Sequence, residues 1–275
     1  MRNNFLLAIF SVLSFSLNGQ NCNAFKYYGD TLQYEACIIA EEAKNHHQFS
    51  KKYQEIYDKA IEKCPYFADA YQARSVAYLK SGDFLTWKKL IDKAVEFKPK
   101  DWLGYRGWCR YQFFKDYDGA IKDIEKLDSL INYDLGHSAN GDYHLNIAKA
   151  ICYKAKGESL RAIEIIKQQL ADEKHNVGIY DYLHLGVLYL ENKQFKDAIL
   201  YLEMQEKKND LAENRFYKAL AYKELGQIEE CRKNLELAQQ LYVKNVRMDD
   251  PYCIPCDKIY LKQIEDEVKS VANKG

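Results

Sequence analysis

Apolar residues recur three to four positions apart along most of this chain, the spacing that gathers them on one stripe of an α-helix. The clearest stretch is 179–212. Tyr182, Leu185, Gly186 and Tyr189 share one face of a first predicted helix. Asn192-Lys193-Gln194 interrupts the pattern, and Phe195, Ala198, Ile199 and Leu202 rebuild it as a second helix. One helix-turn-helix unit is therefore predicted here.

The same arrangement returns elsewhere. A first, degenerate copy spans 34–67, with Cys37, Ala40 and Glu41 in the slots of Tyr182, Leu185 and Gly186, and Pro65 where its second helix should stop. A copy at 68–100 carries Tyr71, Tyr78, Gly82, Phe84, Ile91, Ala94 and Pro99, with Trp87 in the slot of Ala198. The next, 101–142, has Tyr111, Ala120, Ile121 and Ile124. Its Gly104 and Gly107 should weaken the first helix by about 1 kcal/mol each against Ala. Copies at 143–178, 179–211 and 212–244 complete the run. One Tyr recurs as Tyr78, Tyr111, Tyr153, Tyr189 and Tyr222, at spacings of 33, 42, 36 and 33. The longest spacing holds Asn132–Asp142, a surface loop by its Asp, Asn and Gly content. That loop lacks the alternating acids and closing Glu of a calcium loop.

An aromatic, Leu-Gly and Tyr followed by an aromatic and a small Ala, repeated at this period, resembles the tetratricopeptide repeat. The resemblance covers 34–244. It implies an all-α fold, a right-handed α-solenoid of about six helix-turn-helix repeats. Residues 245–256, with Pro251 and Pro255, break the helical pattern and read as a connector. Asp257 is expected to cap a final helix in 257–275, covering the apolar face that the last repeat leaves open.

The amino terminus reads differently. Arg2 precedes an apolar run from Phe5 to Leu17, too short to span a bilayer, and Gly19 precedes Gln20. Residues 1–19 are predicted to be a secretory signal peptide, followed by an extension at 20–33, so the mature protein should be periplasmic or secreted. A lipid anchor on Cys22 is the rival reading; Gln20 and Asn21 stand where such signals place small residues. The chain has 40 basic and 40 acidic residues in all, and signal removal leaves 39 against 40. This balance argues against a nucleic-acid binder. No other apolar run reaches spanning length.

Candidate chemistry is sparse. Of eight cysteines, Cys37, Cys152 and Cys231 fall on or beside packed slots and read as small buried side chains. Cys253 and Cys256 form a C-x-P-C motif before a predicted helix, a possible disulfide or redox pair. The strands that a thioredoxin needs around such a motif are not predicted. A zinc site needs two further ligands, and neither a second C-x-x-C nor a paired-His motif supplies them. The six histidines read as surface or packing residues. No catalytic motif, metal site or cofactor fingerprint is expected.

What remains is the surface lined by the first helices, which the resemblance makes concave. It places inward Asp69, Gln72, Val76 and Leu79; Trp102, Tyr105, Cys109 and Gln112; His144, Ile147, Ile151 and Lys154; Tyr180, Leu183, Val187 and Leu190; and Glu213, Phe216, Leu220 and Lys223. Trp102, Tyr105, Ile147, Tyr180, Leu183, Val187 and Phe216 are the candidate partner-binding residues, suited to an apolar peptide or helix. The alternative is that the chain buries them itself. Val76, Cys109, Ile151, Val187 and Leu220 occupy slots where the subset of the family that binds acidic chain termini is expected to carry Asn. The expected function is a non-catalytic interaction scaffold in the cell envelope. The rivals are a thiol-disulfide or redox-sensing protein using Cys253 and Cys256, and an accessory ligand-binding subunit of an uptake system.

Overall fold

The computed structural model describes residues 21–272. The expected signal segment, 1–19, lies outside the described residues. The chain divides into two compact units, Met1–Phe97 and Lys98–Gly275.

The first unit holds α1 (Cys22–Tyr27), α2 (Thr31–Glu41), a 3₁₀ turn (Glu42–Asn45), α3 (Lys51–Lys63), α4 (Ala68–Ser81) and α5 (Phe84–Phe97). Local chemistry starts the helices where the sequence changes character. The Asp30 carboxylate accepts from the Gln33 amide at the head of α2, and the Ser50 hydroxyl accepts from the Tyr53 amide at the head of α3. Ala36, Ala40, Ala60, Phe67 and Ala70 form one core around Cys37. Cys37 is not an inert apolar filler. It is disulfide-bonded to Cys22 and ties α1 to α2.

The second unit begins with α6 (Pro99–Cys109), which passes directly into a π-helical turn (Arg110–Phe114). Pro99 sits in the first turn, where its missing N–H costs no helical bond. There follow α7 (Tyr117–Leu130), α8 (Leu145–Ala155), α9 (Ser159–Ala171), α10 (Asp181–Glu191), α11 (Phe195–Lys208), α12 (Ala212–Glu224), α13 (Ile228–Val243) and α14 (Leu261–Ala272). Each helix packs on the next, from α6 on α7 through α12 on α13. The first helices also touch in series: α6 meets α8, α8 meets α10, and α10 meets α12. They therefore form a continuous layer, backed by a second layer of α7, α9, α11 and α13.

Small residues set how closely the layers approach. A Cβ on Gly186 of α10 would lie 2.7 Å from Leu202 Cγ and 3.3 Å from the Ala198 carbonyl of α11. Gly107 in α6 plays the same part against α7, where an added Cβ would meet Asp123 Cβ and Ile124 Cγ1 at 3.1 Å. The helix-weakening reading of Gly107 thus omits its use: it admits the buried Asp123, whose carboxylate accepts from Arg106 Nε at 2.8 Å and Nη2 at 2.7 Å.

The last helix starts later than expected. Asp257 has φ 63°, a left-handed conformation that does not fit the cap of an entering helix. The helix begins at Leu261 instead. Ile264 and Val271 of α14 then join Phe216, Leu235 and Ala238 in one core. An ion pair between Lys223 and Glu267 fixes α14 against α12.

Ala198 is fully buried beneath Gly186. The substitution Ala198→Arg forces excess volume and a charge into that contact, at a cost of roughly 3 kcal/mol or more. Thermal unfolding followed by circular dichroism should show a melting point lower by about 10 °C, given roughly 2–4 °C per kcal/mol at this size. An unchanged melt would show that α10 and α11 do not meet in this register.

Candidate functional site: a groove holding the chain's own connector

Residues 246–260 run across the layer of first helices in the second unit, held by one side chain or backbone group after another. The Ala212 amide donates to the Val246 carbonyl at 3.0 Å. The Glu213 carboxylate accepts from the Met248 amide at 3.0 Å and from the Ile259 amide at 3.5 Å, so one side chain grips both ends of the segment. Gln112 Nε2 donates to Cys253 Sγ at 2.9 Å, and Lys115 Nζ donates to the Ile254 carbonyl at 3.0 Å. The segment's apolar anchors are Met248, Pro255 and Ile259, all buried. Between the anchors Tyr252 and Ile254 remain exposed.

The tightest contact is at Asp257. Its Oδ1 accepts from Lys154 Nζ of α8 at 2.6 Å, and its Oδ2 faces His184 Nδ1 of α10 at 2.7 Å. A carboxylate can only accept, so His184 carries its proton on Nδ1. Burial alone would raise the Asp257 pKa. The Lys154 charge and the His184 hydrogen bond outweigh it and hold the pKa at about 2. Burial likewise pulls Lys154 down, but Asp257 outweighs it and the ammonium pKa is raised. Lys154 also pairs with Glu191 at 3.0 Å. Glu213 has the opposite balance: burial raises its carboxyl more than its backbone hydrogen bonds lower it.

Aromatic side chains floor this site. Tyr143, from the loop before α8, packs 6.1 Å from Tyr111 in the π turn, 6.0 Å from Tyr180 and 5.6 Å from His184, centroid to centroid. The loop itself is docked by histidines. His144 Nδ1 accepts from the Asn146 amide at the head of α8, its Nε2 donates to Asp134, and its ring meets His175 edge-on. Burial lowers the His144 pKa.

The structure corrects the candidate binding residues. Ile147 and Leu183 are 0% exposed, Val187 2%, Phe216 6% and Tyr180 9%. They are core, not an open docking face. Phe216 packs with Ile259 and Ile264, beneath the connector and α14. Trp102 and Tyr105 are half-buried and pack edge to face on each other. Self-burial is therefore what the chain adopts across the middle of this surface. Gln112, Lys154 and Glu213 stand at inward positions and make contacts to the connector. Asp257 and His184 carry the central contact, yet their sequence readings were a helix cap and a packing histidine. The available signal was polar residues at inward positions, Gln112, Lys154 and Glu213 among them, and a connector rich in Asp.

Cys253 and Cys256 are also corrected. Both are free thiols, and the disulfide is Cys22–Cys37. Burial, then the Asp250 charge, pushes the Cys253 pKa up to about 12, and burial raises Cys256 as well. A redox nucleophile needs the reverse shift. Among the described residues, His184, Cys256 and Asp257 bring potential metal-ligand atoms within 4.8 Å of one another. A divalent ion there would compete with the Lys154 ammonium for Asp257 and with the proton on His184 Nδ1. It would also have to ionise a thiol that burial keeps protonated.

Two layers of short helices, paired in sequence order and brought close at Gly107 and Gly186, define an α-helical repeat protein. The particular repeat fold is the tetratricopeptide fold. PilF of Pseudomonas aeruginosa superposes with TM-score 0.62 at 14% identity, over 86% of this chain and 99% of that one. PilW, a widely conserved type IV pilus biogenesis factor, gives 0.57 at 15%, over 82% and 92%. A tetratricopeptide repeat protein from Parabacteroides merdae gives 0.51 at 13%, over 92% and 96%. At these identities the likeness is one of fold. No sequence-family model and no curated protein matches the chain. Among the described residues no helix is long and apolar enough to cross a membrane.

The Asp257 contact sets an acid limit on stability. Its folded pKa lies below the ordinary value of 3.8, so its contribution is fully present above about pH 4 and is lost as pH falls toward 2. The contribution is on the order of 2 kcal/mol. Urea melts between pH 2 and 6 should show this loss in the wild type and a flatter profile in Asp257→Asn. Identical acid profiles would mean that Asp257 is not the group responsible.

Proposed function

We propose that this protein is a non-catalytic protein–protein interaction scaffold of the cell envelope. The observation that carries the reading is the layer of first helices gripping an extended segment through side chains from α8, α10 and α12 and the π turn after α6. That is how a helical repeat recognises a peptide: backbone groups inside the helices are already paired, so side chains and the free amide at a helix start satisfy the ligand's backbone. The raised thiol pKa values of Cys253 and Cys256 favour the scaffold over a thiol-disulfide enzyme.

Three features support an extracytoplasmic location. Residues 1–19 read as a signal peptide. The Cys22–Cys37 disulfide suits an oxidising compartment, and a disulfide-bonded Cys22 has no sulfur left for a lipid. PilW, a fold neighbour, is a pilus biogenesis factor.

Affinity capture of the tagged mature protein from its own envelope extract tests the function. A protein partner should be retained through cross-linking and washing, and the purified protein should not reduce insulin. Insulin reduction that disappears in Cys253→Ser would overturn the scaffold reading in favour of redox chemistry. Intact-mass measurement tests the location. The envelope-derived protein should begin at Gln20; a species that retains Met1 would overturn export, and acyl chains on Cys22 would overturn the soluble, disulfide-bonded form in favour of a lipid-anchored one.

A further inference from the structure

Residues 246–260 satisfy the groove with a definite chemistry. Pro255, two residues before Asp257, and Ile259, two residues after it, are buried, while the carboxylate between them meets Lys154 and His184. Asp257 presents that carboxylate from a left-handed turn. Part of the remaining grip falls on backbone groups, at Glu213 for two amides and at Lys115 for a carbonyl, and is indifferent to side-chain identity; Gln112 also engages the Cys253 thiol and Met248 is buried as a further apolar anchor. The groove thus reads an apolar–x–acid–x–apolar pattern at Pro255, Asp257 and Ile259.

We propose that the groove binds a partner segment of this same chemistry, and that residues 246–260 occupy it in cis as the competing ligand. This rests on the scaffold reading and names its partner class: a protein segment with an Asp or Glu in a turn, flanked two residues away on each side by apolar side chains. Charge complementarity commits the site to an acid. Lys154 is buried against Asp257, and removing that carboxylate leaves the buried ammonium with only the half-exposed Glu191 and leaves the buried His184 N–H without its acceptor, so a neutral segment replaces the connector at a cost. The side chains of Tyr252 and Ile254 in the connector's middle are 51% and 60% exposed. Tethering sets the strength of the competition, since a segment joined by a short linker acts at an effective concentration of about 1 mM. A partner engages when its segment exceeds that, or when the connector is released.

The test uses a fluorescent peptide copying residues 246–260 with both cysteines changed to serine. It is titrated into the full mature chain and into full-length Asp257→Asn, in which Asn keeps the left-handed turn and removes the charge. Anisotropy should show binding at least tenfold tighter to Asp257→Asn than to wild type. A peptide with its own Asp257 counterpart changed to Asn should bind neither. In parallel, about 1 mM acidic peptide should raise the alkylation rate of Cys253 and Cys256 in the wild type at least threefold, as the connector leaves. This arm decides the matter if Asp257→Asn loses its helical circular dichroism. Equal affinity for both folded proteins, equal binding of the Asn peptide, or an unchanged alkylation rate would each overturn the proposal. A native partner that is captured but not displaced by the acidic peptide would leave the scaffold standing and reject this groove as its site.

Discussion

The second unit depends on one buried carboxylate. Asp257 is 7% exposed at its side chain, and a lone carboxylate so placed would take up a proton or pull the segment back into water. It does neither, because Lys154 and His184 reach it from two successive first helices. Each partner needs the others. Lys154 is itself 10% exposed and His184 0%, and neither charge nor N–H is satisfied by the helix that carries it. The contact holds α8, α10 and the connector in one arrangement, and it places Pro255 and Ile259 over the apolar surface beside it.

The aromatic and aliphatic first-helix residues beside it are not exposed. A layer of Ile147, Leu183, Val187 and Phe216 open to water would be a large apolar patch, unfavourable in a monomer. The chain buries these residues itself, and at Phe216 the cover is Ile259 of the extended segment and Ile264 of α14. The cover is not itself helical across 246–260, so its backbone groups need partners that regular structure does not provide. Glu213, Lys115 and the Ala212 amide supply them. Polar residues on an apolar layer are thus not exceptions to the packing but the means of holding an extended strand of chain against helices.

The cysteines divide by environment rather than by spacing. Cys22 and Cys37 sit on two short helices that need a covalent tie, because a six-residue α1 is too short to be stable alone. Cys253 and Cys256 are closer in sequence, yet they lie in the connector, where Gln112 engages one thiol and burial keeps the other protonated.

The repeat architecture was legible in the sequence because it is local. Helical periodicity and the helix-turn-helix pattern each lie within one unit, and the Tyr slot recurs from unit to unit from Tyr78 to Tyr222. Even the inward positions of Gln112, Lys154 and Glu213 followed from the repeat register. What the register could not supply was their partner, which lies far along the chain: Lys154 meets Asp257 across 103 residues and Gln112 meets Cys253 across 141. An Asp before a helical pattern reads as a cap when only its neighbours are known. Its left-handed backbone and its ion pair arise only when the connector folds back over the first helices. Burial of that apolar layer is a property of the assembled unit, so tertiary structure alone decided whether the groove faces water or the chain's own residues.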